Sequence, residues 1–406
     1  MRTLFHYLRG QYIINEGGMA GHMSHPGDYN ELTVNDITDL IENLFSGKIE
    51  NITEKMDGVN IQASMNEQGE VIFIRNKGDI NSSKGGMTIS DMMMKWADKP
   101  EVSDKYKTAG EIITTVFNKI GSKFFNPDST TRRFVNCECI VEGVTNVMPY
   151  PSDQVDFHNI WIYKYMSGEW VFKETTERGL DTVKSACDGI ESAMLTPKVI
   201  IDTTKESAQL AKKFMTRFNA IMGDNKTIGE YKKDKFKKYV EKNYPWILDN
   251  EEGFNILFSR WFERVKKVNI RDIKKMYPEH VDTISTLDKT GYKSIVNKCN
   301  DELDIFFLRL GNTILKLCKG LVNNGLEQSV IDYLNSELTS TTNRIKSSAN
   351  IDLQDKLSIQ LARLQNLENQ INPSEGIVFT YKGKMMKLTG SFAAINQILG
   401  SIKYNV

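Results

Sequence analysis

Thr53-Glu54-Lys55-Met56-Asp57-Gly58-Val59-Asn60-Ile61-Gln62-Ala63 opens the most informative stretch of the chain. Val59, Ile61 and Ala63 alternate with polar residues, the period of a strand with one buried face. A turn containing Asn66 and Gly69 follows, and then the apolar run Val71-Ile72-Phe73-Ile74. The stretch therefore predicts a β-hairpin with Lys-x-Asp-Gly at its head and Arg75 at its end. Phe134 to Val141 reads as a further strand. Ile160-Trp161-Ile162-Tyr163 and Trp170-Val171-Phe172 flank Ser167-Gly168, a second hairpin, and Glu375 to Leu388 predicts a third around Lys382-Gly383.

Helical signals surround these strands. Thr33 is a good N-cap, Ile37, Leu40, Ile41 and Leu44 form an apolar stripe, and Gly47 stands where a helix would end. From about Leu180 to Gln370 the pattern is helical: Leu303, Phe306, Phe307, Leu310 and Ile314 recur at three- and four-residue spacing, as do Leu353, Leu357, Leu361, Leu364 and Leu367. Pro197, Pro245 and Pro278 mark helix boundaries there. The expected fold class is α+β. Residues 1–180 and 371–406 would form a mixed, antiparallel-sheet core, and residues 181–370 an all-α insertion.

Length and composition bound the rest. The 406 residues, 40% hydrophobic and 26% charged, suffice for two or three globular domains. No run of eighteen apolar residues occurs and Met1–Gly10 has no signal-peptide pattern, so neither a membrane span nor secretion is expected. The five cysteines, Cys137, Cys139, Cys187, Cys299 and Cys318, are odd in number and scattered, which predicts reduced thiols in a cytoplasmic protein. Net charge is zero, yet residues 205–275 carry 18 Lys and Arg against 10 Asp and Glu, leaving 34 against 42 elsewhere. Such asymmetry points to a polyanion-binding face, or to a solvated helical surface.

Lys55-Met56-Asp57-Gly58, Arg75, Glu138, an aromatic at Phe157 or Tyr163, Glu375-Gly376-Ile377-Val378 and Lys387 follow one another along the chain. In that order they resemble the motifs of the covalent nucleotidyltransferases: DNA ligases, RNA ligases and mRNA capping enzymes. The resemblance implies an ATP-grasp-like ligase core in which Lys55 takes the nucleotide, with Asp57 and Lys387 as its catalytic partners. It implies nucleotide contacts from Glu54, Lys55, Gly58, Arg75, Glu138, Phe157, Glu375 and Lys387. It further implies Mg²⁺ or Mn²⁺ at Glu375 and Glu138. Where the family carries a second lysine after Lys387, this chain has Thr389. Only 16 residues follow Gly390, so no C-terminal oligonucleotide-binding barrel is expected, which favours the RNA-ligase-like members found in phages, acting in the host cytoplasm.

The residue types suit that chemistry. A lysine has a free pKa of about 10.4 and must lose a proton before it can attack, so positive neighbours and burial favour it. Attack on the α-phosphorus of ATP would displace pyrophosphate and leave AMP on Lys55. The AMP would pass to a 5′-phosphate end, and a 3′-hydroxyl of RNA or DNA would then displace it. The lysine-rich, aromatic-interleaved stretch around 231–242 is the expected polynucleotide contact. Alternative readings are a nucleotidyltransferase that modifies a protein or small molecule, and a non-catalytic nucleotide-binding or interaction protein. Gly17 to Pro26 is a glycine-rich stretch with His22 and His25. It reads as a turn, or as a loop over the nucleotide pocket.

Overall fold

The structure is a computed structural model. It describes residues 23–56, 58–75, 77–82, 85–141, 153–196, 198–263, 269–321, 343 and 374–390. Asp57, Gly17 to His22 and the apolar stripe from Leu353 to Leu367 lie outside the described residues.

The architecture is mixed helix and antiparallel sheet. Strands β1 (Thr53–Lys55), β2 (Val59–Met65), β3 (Val71–Ile74), β4 (Thr131–Ile140), β5 (Gln154–Met166), β6 (Glu169–Thr176), β7 (Ala193–Leu195), β8 (Ile200–Ile201), β9 (Cys318–Lys319), β10 (Gly376–Tyr381) and β11 (Lys384–Thr389) form three sheets. The largest runs β3-β2-β4-β5-β6, all antiparallel, with β7 joining β5 in parallel. A second is β1-β10-β11, and β8 pairs β9. Among the described residues, the helices of seven residues or more are α1 (Val34–Phe45), α2 (Ile89–Lys95), α3 (Pro100–Ile120), α4 (Leu180–Cys187), α5 (Ser207–Met222), α6 (Ile228–Asn243), α7 (Glu251–Trp261), α8 (Ile270–Met276) and α9 (Tyr292–Leu315).

Local chemistry accounts for the starts and stops. Thr33 accepts from the Asp36 backbone N–H while the Asp36 carboxylate accepts from Thr33, a reciprocal cap worth about 1 kcal/mol. The apolar stripe of α1 is fully buried, and Gly47 follows with φ +66°. One face of the large sheet, with Ile61, Ala63, Val135 and Phe157, packs on Ile113 and Phe117 of α3. The opposite face carries a small apolar cluster of Ile72, Ile74, Phe134 and Tyr163 at one end and polar residues at the other.

The three-stranded sheet buries Ile377, Phe379, Met386 and Leu388 against α1, α5 and α9. Helices from the middle of the chain thus share a core with strands from both ends. At Gly311 of α9 an added Cβ would stand 2.1 Å from the Thr389 carbonyl oxygen, so only glycine lets this helix lie on the end of β11. A separate core of Phe236, Leu257, Trp261, Ile273 and Ile295 holds α6, α7, α8 and the start of α9 together.

The segment expected to be all helical departs from that reading in two places. Its residues 193–195 extend the large sheet, and Ile200–Ile201 pairs with Cys318–Lys319. Strands of two or three residues are too short to carry a readable alternation.

Candidate active site

Lys55 ends β1 directly opposite Gly376 of β10, which in turn lies opposite Thr389 of β11. Glu375 immediately precedes that glycine. Its Oε2 accepts from Lys55 Nζ at 2.6 Å, joining residues 320 apart in sequence. The two side chains are only 11% and 8% exposed. A buried ion pair is weak evidence for stability, but removing one partner leaves the other charge uncompensated at about 3–5 kcal/mol.

Gly58, three residues after Lys55, ties this corner to the large sheet. Its N–H donates to Glu138 Oε1 at 3.0 Å. A Cβ there would stand 2.7 Å from the Cys139 carbonyl oxygen and 3.0 Å from Glu138 Cγ, so the approach requires glycine. Asn60, opposite Glu138 across β2 and β4, donates to Oε2 at 3.2 Å. Glu138 is thereby fixed by one backbone and one side-chain donor, in an orientation that keeps it beside the head of the hairpin.

His158 completes this cluster. Its Nδ1 lies 2.8 Å from Thr196 Oγ1, and its Nε2 3.9 Å from Glu138 Oε2. Burial, reinforced by the nearby positive charge of Lys55, lowers its pKa to about 4, so the imidazole is neutral at physiological pH. Asp156, directly opposite Glu138 on β5, is fully buried and its pKa is pushed up to about 7 by desolvation, with the charge of Glu54 adding to the effect. Sequence reading missed both residues. A β-bulge where β4 passes Asn136 and Cys137 leaves His158 as the extra residue of β5, and pattern alone does not locate bulges.

The other expected residues fall in different places. Lys387 lies opposite Val378, on the same face of the three-stranded sheet as Lys55 and one row along. Thr389 occupies the row of Lys55 itself. Lys384, three residues before Lys387 and outside the expected set, pairs with Glu31 and lies over the Tyr29 ring. Glu54 is buried, and strand alternation puts it on the opposite face from Lys55. Arg75 Nη1 donates to Tyr106 of α3 at 2.6 Å, on the helix-packed side of the large sheet.

Neither candidate aromatic is open. Phe157 is 1% exposed in the α3 core, 6.2 Å from Phe117, facing away from Glu138. Tyr163 is equally buried, donating to Gln62 Oε1 at 2.9 Å. The ring beside Glu138 and Lys55 is that of His158. Of the expected set, the structure brings Lys55, Gly58, Glu138 and Glu375 together, with Lys387 on the same sheet face. It directs Arg75 and Phe157 elsewhere.

In the basic segment, Tyr231, Phe236 and Val240 form the buried side of α6. Lys235 pairs with Glu302 and Lys238 with Asp234, while Lys232 is buried and donates to Asn30. Lys233, Lys237 and Lys242 are exposed. Among the described residues no helix is long and apolar enough to cross a membrane.

The sequence matches no protein-family model and no curated protein. Among solved structures, the chain is similar to an archaeal ATP-dependent RNA ligase (form 1) at 10% identity. The match covers 94% of this chain and 82% of that one, with a TM-score of 0.23, too low to bear on function.

Proposed function

We propose that the protein is an ATP-dependent polynucleotide ligase, acting on RNA, that works through a lysyl-AMP at Lys55. The observation that carries this reading is the 2.6 Å contact between Lys55 Nζ and Glu375 Oε2, which unites the Lys-x-Asp-Gly and Glu-Gly-x-Val stretches across 320 residues. Lys55 Nζ, once it has lost a proton, attacks the α-phosphorus of ATP. The bond to the bridging oxygen breaks, pyrophosphate leaves, and a phosphoramide remains. A 5′-phosphate oxygen then displaces Lys55 to give a 5′-5′ pyrophosphate. Attack by a 3′-hydroxyl closes the phosphodiester and releases AMP.

Each nearby residue has a role in this scheme. Glu375 holds the lysine ammonium before nucleotide enters. Glu138, fixed by Gly58 and Asn60, faces the sugar that adjoins the α-phosphate. Lys387, on the face of Lys55, meets phosphate charge. Mg²⁺ is commonly held by one or two carboxylates with substrate phosphates and water. Glu375 and Glu138 supply oxygen donors of that kind, and among the described residues no cluster of three or more His, Cys, Asp or Glu forms a closed metal site. When bound with ATP, the ion would neutralise charge on the phosphates. The exposed lysines of α6 are the proposed contact for the polynucleotide backbone.

The test is the intact mass of the protein after incubation with ATP and Mg²⁺, beside a Lys55→Ala variant. A gain of one AMP, absent in the variant, is expected. A folded wild-type protein, stripped of bound nucleotide, that gains no mass would overturn the reading.

A further inference from the structure

We propose that the outer end of the sheet face bearing Glu138 is a stacking platform for the unpaired bases of a single-stranded polynucleotide, with Phe172 and Tyr165 as its open rings. This rests on the ligase reading above and names the form of substrate which that reading leaves open.

Strand register carries the placement. Glu138, Phe134 and Arg132 share one face of β4, and Trp161 and Tyr163 stand opposite Phe134 and Arg132 on that same face. Tyr163 in turn lies opposite Phe172, and Tyr165 opposite Trp170. The rings form a continuous field. Trp161 and Phe172 have centroids 4.7 Å apart, Tyr163 and Phe172 5.8 Å, and Tyr165 and Trp170 5.4 Å. Tyr163 is buried, but Phe172 is 42% exposed and Tyr165 48%. Single exposed apolar side chains are ordinary, whereas adjoining ones mark a contact surface.

Position and chemistry together choose the occupant. The row of Arg132 and Tyr163 is six residues of strand from Glu138, roughly 20 Å. One nucleotide held at Lys55 does not reach that far, but a strand of several nucleotides, about 3.4 Å each when stacked, does. The far end of the field is held firmly. Trp170 N–H donates to Asn81 Oδ1 at 2.7 Å, and the Trp170 carbonyl accepts from Asn81 Nδ2 at 3.4 Å. The edge of β6 is thus occupied there, which disfavours strand addition by a second copy. The Arg132 guanidinium lies 4.7 Å from the centre of the Trp170 ring and donates to the Gly85 carbonyl at 3.3 Å. Glu169 and Glu174, opposite Met166 and Ile162, fall on the other face, and Lys173 is the extra residue of a bulge. Among the described residues of β4, β5 and β6, regular alternation therefore leaves this end of the face with one cation and no carboxylate. Every base has a π-face that such rings can stack on, without regard to sequence.

The experiment measures binding of a labelled single-stranded RNA of about twelve nucleotides by fluorescence anisotropy, across a salt series. Wild type is compared with Phe172→Ala, Phe172→Leu and Phe172→Trp, with matched urea midpoints establishing that all fold. Phe172→Ala is expected to weaken binding about tenfold, the effect of one lost stacking partner. The slope of log affinity against log salt should stay that of wild type, because no phosphate contact is removed. Phe172→Trp keeps a ring and should keep the affinity, while Phe172→Leu keeps apolar area without a ring and should lose it. Duplex RNA of the same length, whose bases offer no free face along its length, should bind Phe172→Ala and wild type alike.

Single-strand affinity equal to wild type in Phe172→Ala would overturn the inference. So would full affinity in Phe172→Leu, since apolar area alone would then suffice. Slowed AMP-adduct formation in Phe172→Ala with no polynucleotide present would put the ring in the nucleotide pocket and overturn it as well. A wild type that grips single strands through Phe172 yet gains no AMP would remove the lysyl-AMP reading and leave the platform standing.

Discussion

Replacing Asp156 with Asn should make the protein more stable at pH 8 while leaving it nearly unchanged at pH 4. Asp156 is 0% exposed, and Gln154 Nε2 donates to its carboxylate at the long distances of 3.3 and 3.5 Å. Its pKa rises from 3.8 to about 7. Between those values the folded protein holds a proton that the unfolded chain has lost. Stability therefore falls as pH rises across that window, by about 1.4 kcal/mol per pH unit. Three units amount to roughly 4 kcal/mol of stability, fully present below pH 4 and lost above pH 7. Asn keeps the shape without the charge and should recover most of that. His158 opposes the trend: with a folded pKa of about 4 against 6.5, it makes stability rise with pH over that interval. In wild type the two slopes largely cancel, and Asp156→Asn should expose the rising one. Urea midpoints from pH 4 to 8.5 measure this. If the variant tracks wild type at every pH, Asp156 ionises as an ordinary carboxylate and the desolvation argument fails.

Three further outcomes are expected. Glu375→Gln should lower stability by about 3 kcal/mol by leaving Lys55 without its carboxylate, and Lys55→Met should restore much of that in the double variant; an unchanged urea midpoint for Glu375→Gln would sink the pairing. Gly58→Ala should cost about 1–3 kcal/mol, since its Cβ would sit 2.7 Å from the Cys139 carbonyl, and adduct formation should fall with it. Replacing exposed Lys233, Lys237 and Lys242 with Gln should flatten the salt dependence of single-stranded RNA binding by about 2 in the log–log slope; an unchanged slope would move the backbone contact off α6.

The legible parts of the molecule were those governed by short-range rules. The Val59–Ile74 hairpin follows from alternation, and the cap at Thr33 from its own side chain. The turns at Ser167-Gly168 and Lys382-Gly383 follow from residues that adopt positive φ, as all four do. The resemblance to the nucleotidyltransferase motifs also implied that Lys55 and Glu375 belong together, and they meet at 2.6 Å. The aromatic was misplaced because strand parity is fragile. Without the bulge near Asn136, Phe157 would share a face with Trp161 and Tyr163. With it, Phe157 turns into the α3 core and His158 faces Glu138. Arg75 sits correctly at the strand end, but its side chain found Tyr106, a partner 31 residues away that no local pattern reveals. Asp156 looks like any polar strand residue until the neighbouring strands close over it.

The pairing of β1 with β10 carries a consequence for biosynthesis. A loop of this length costs little extra to close, since each doubling adds only about 0.6 kcal/mol. The delay it imposes is another matter. Lys55 leaves the ribosome 320 residues before its carboxylate partner. At roughly 5–20 residues per second, that interval lasts about 15–60 s. Throughout it the large sheet can form while the lysine corner cannot. On the proposed reading the nascent chain should therefore be unable to form the Lys55 adduct until the β10–β11 hairpin docks.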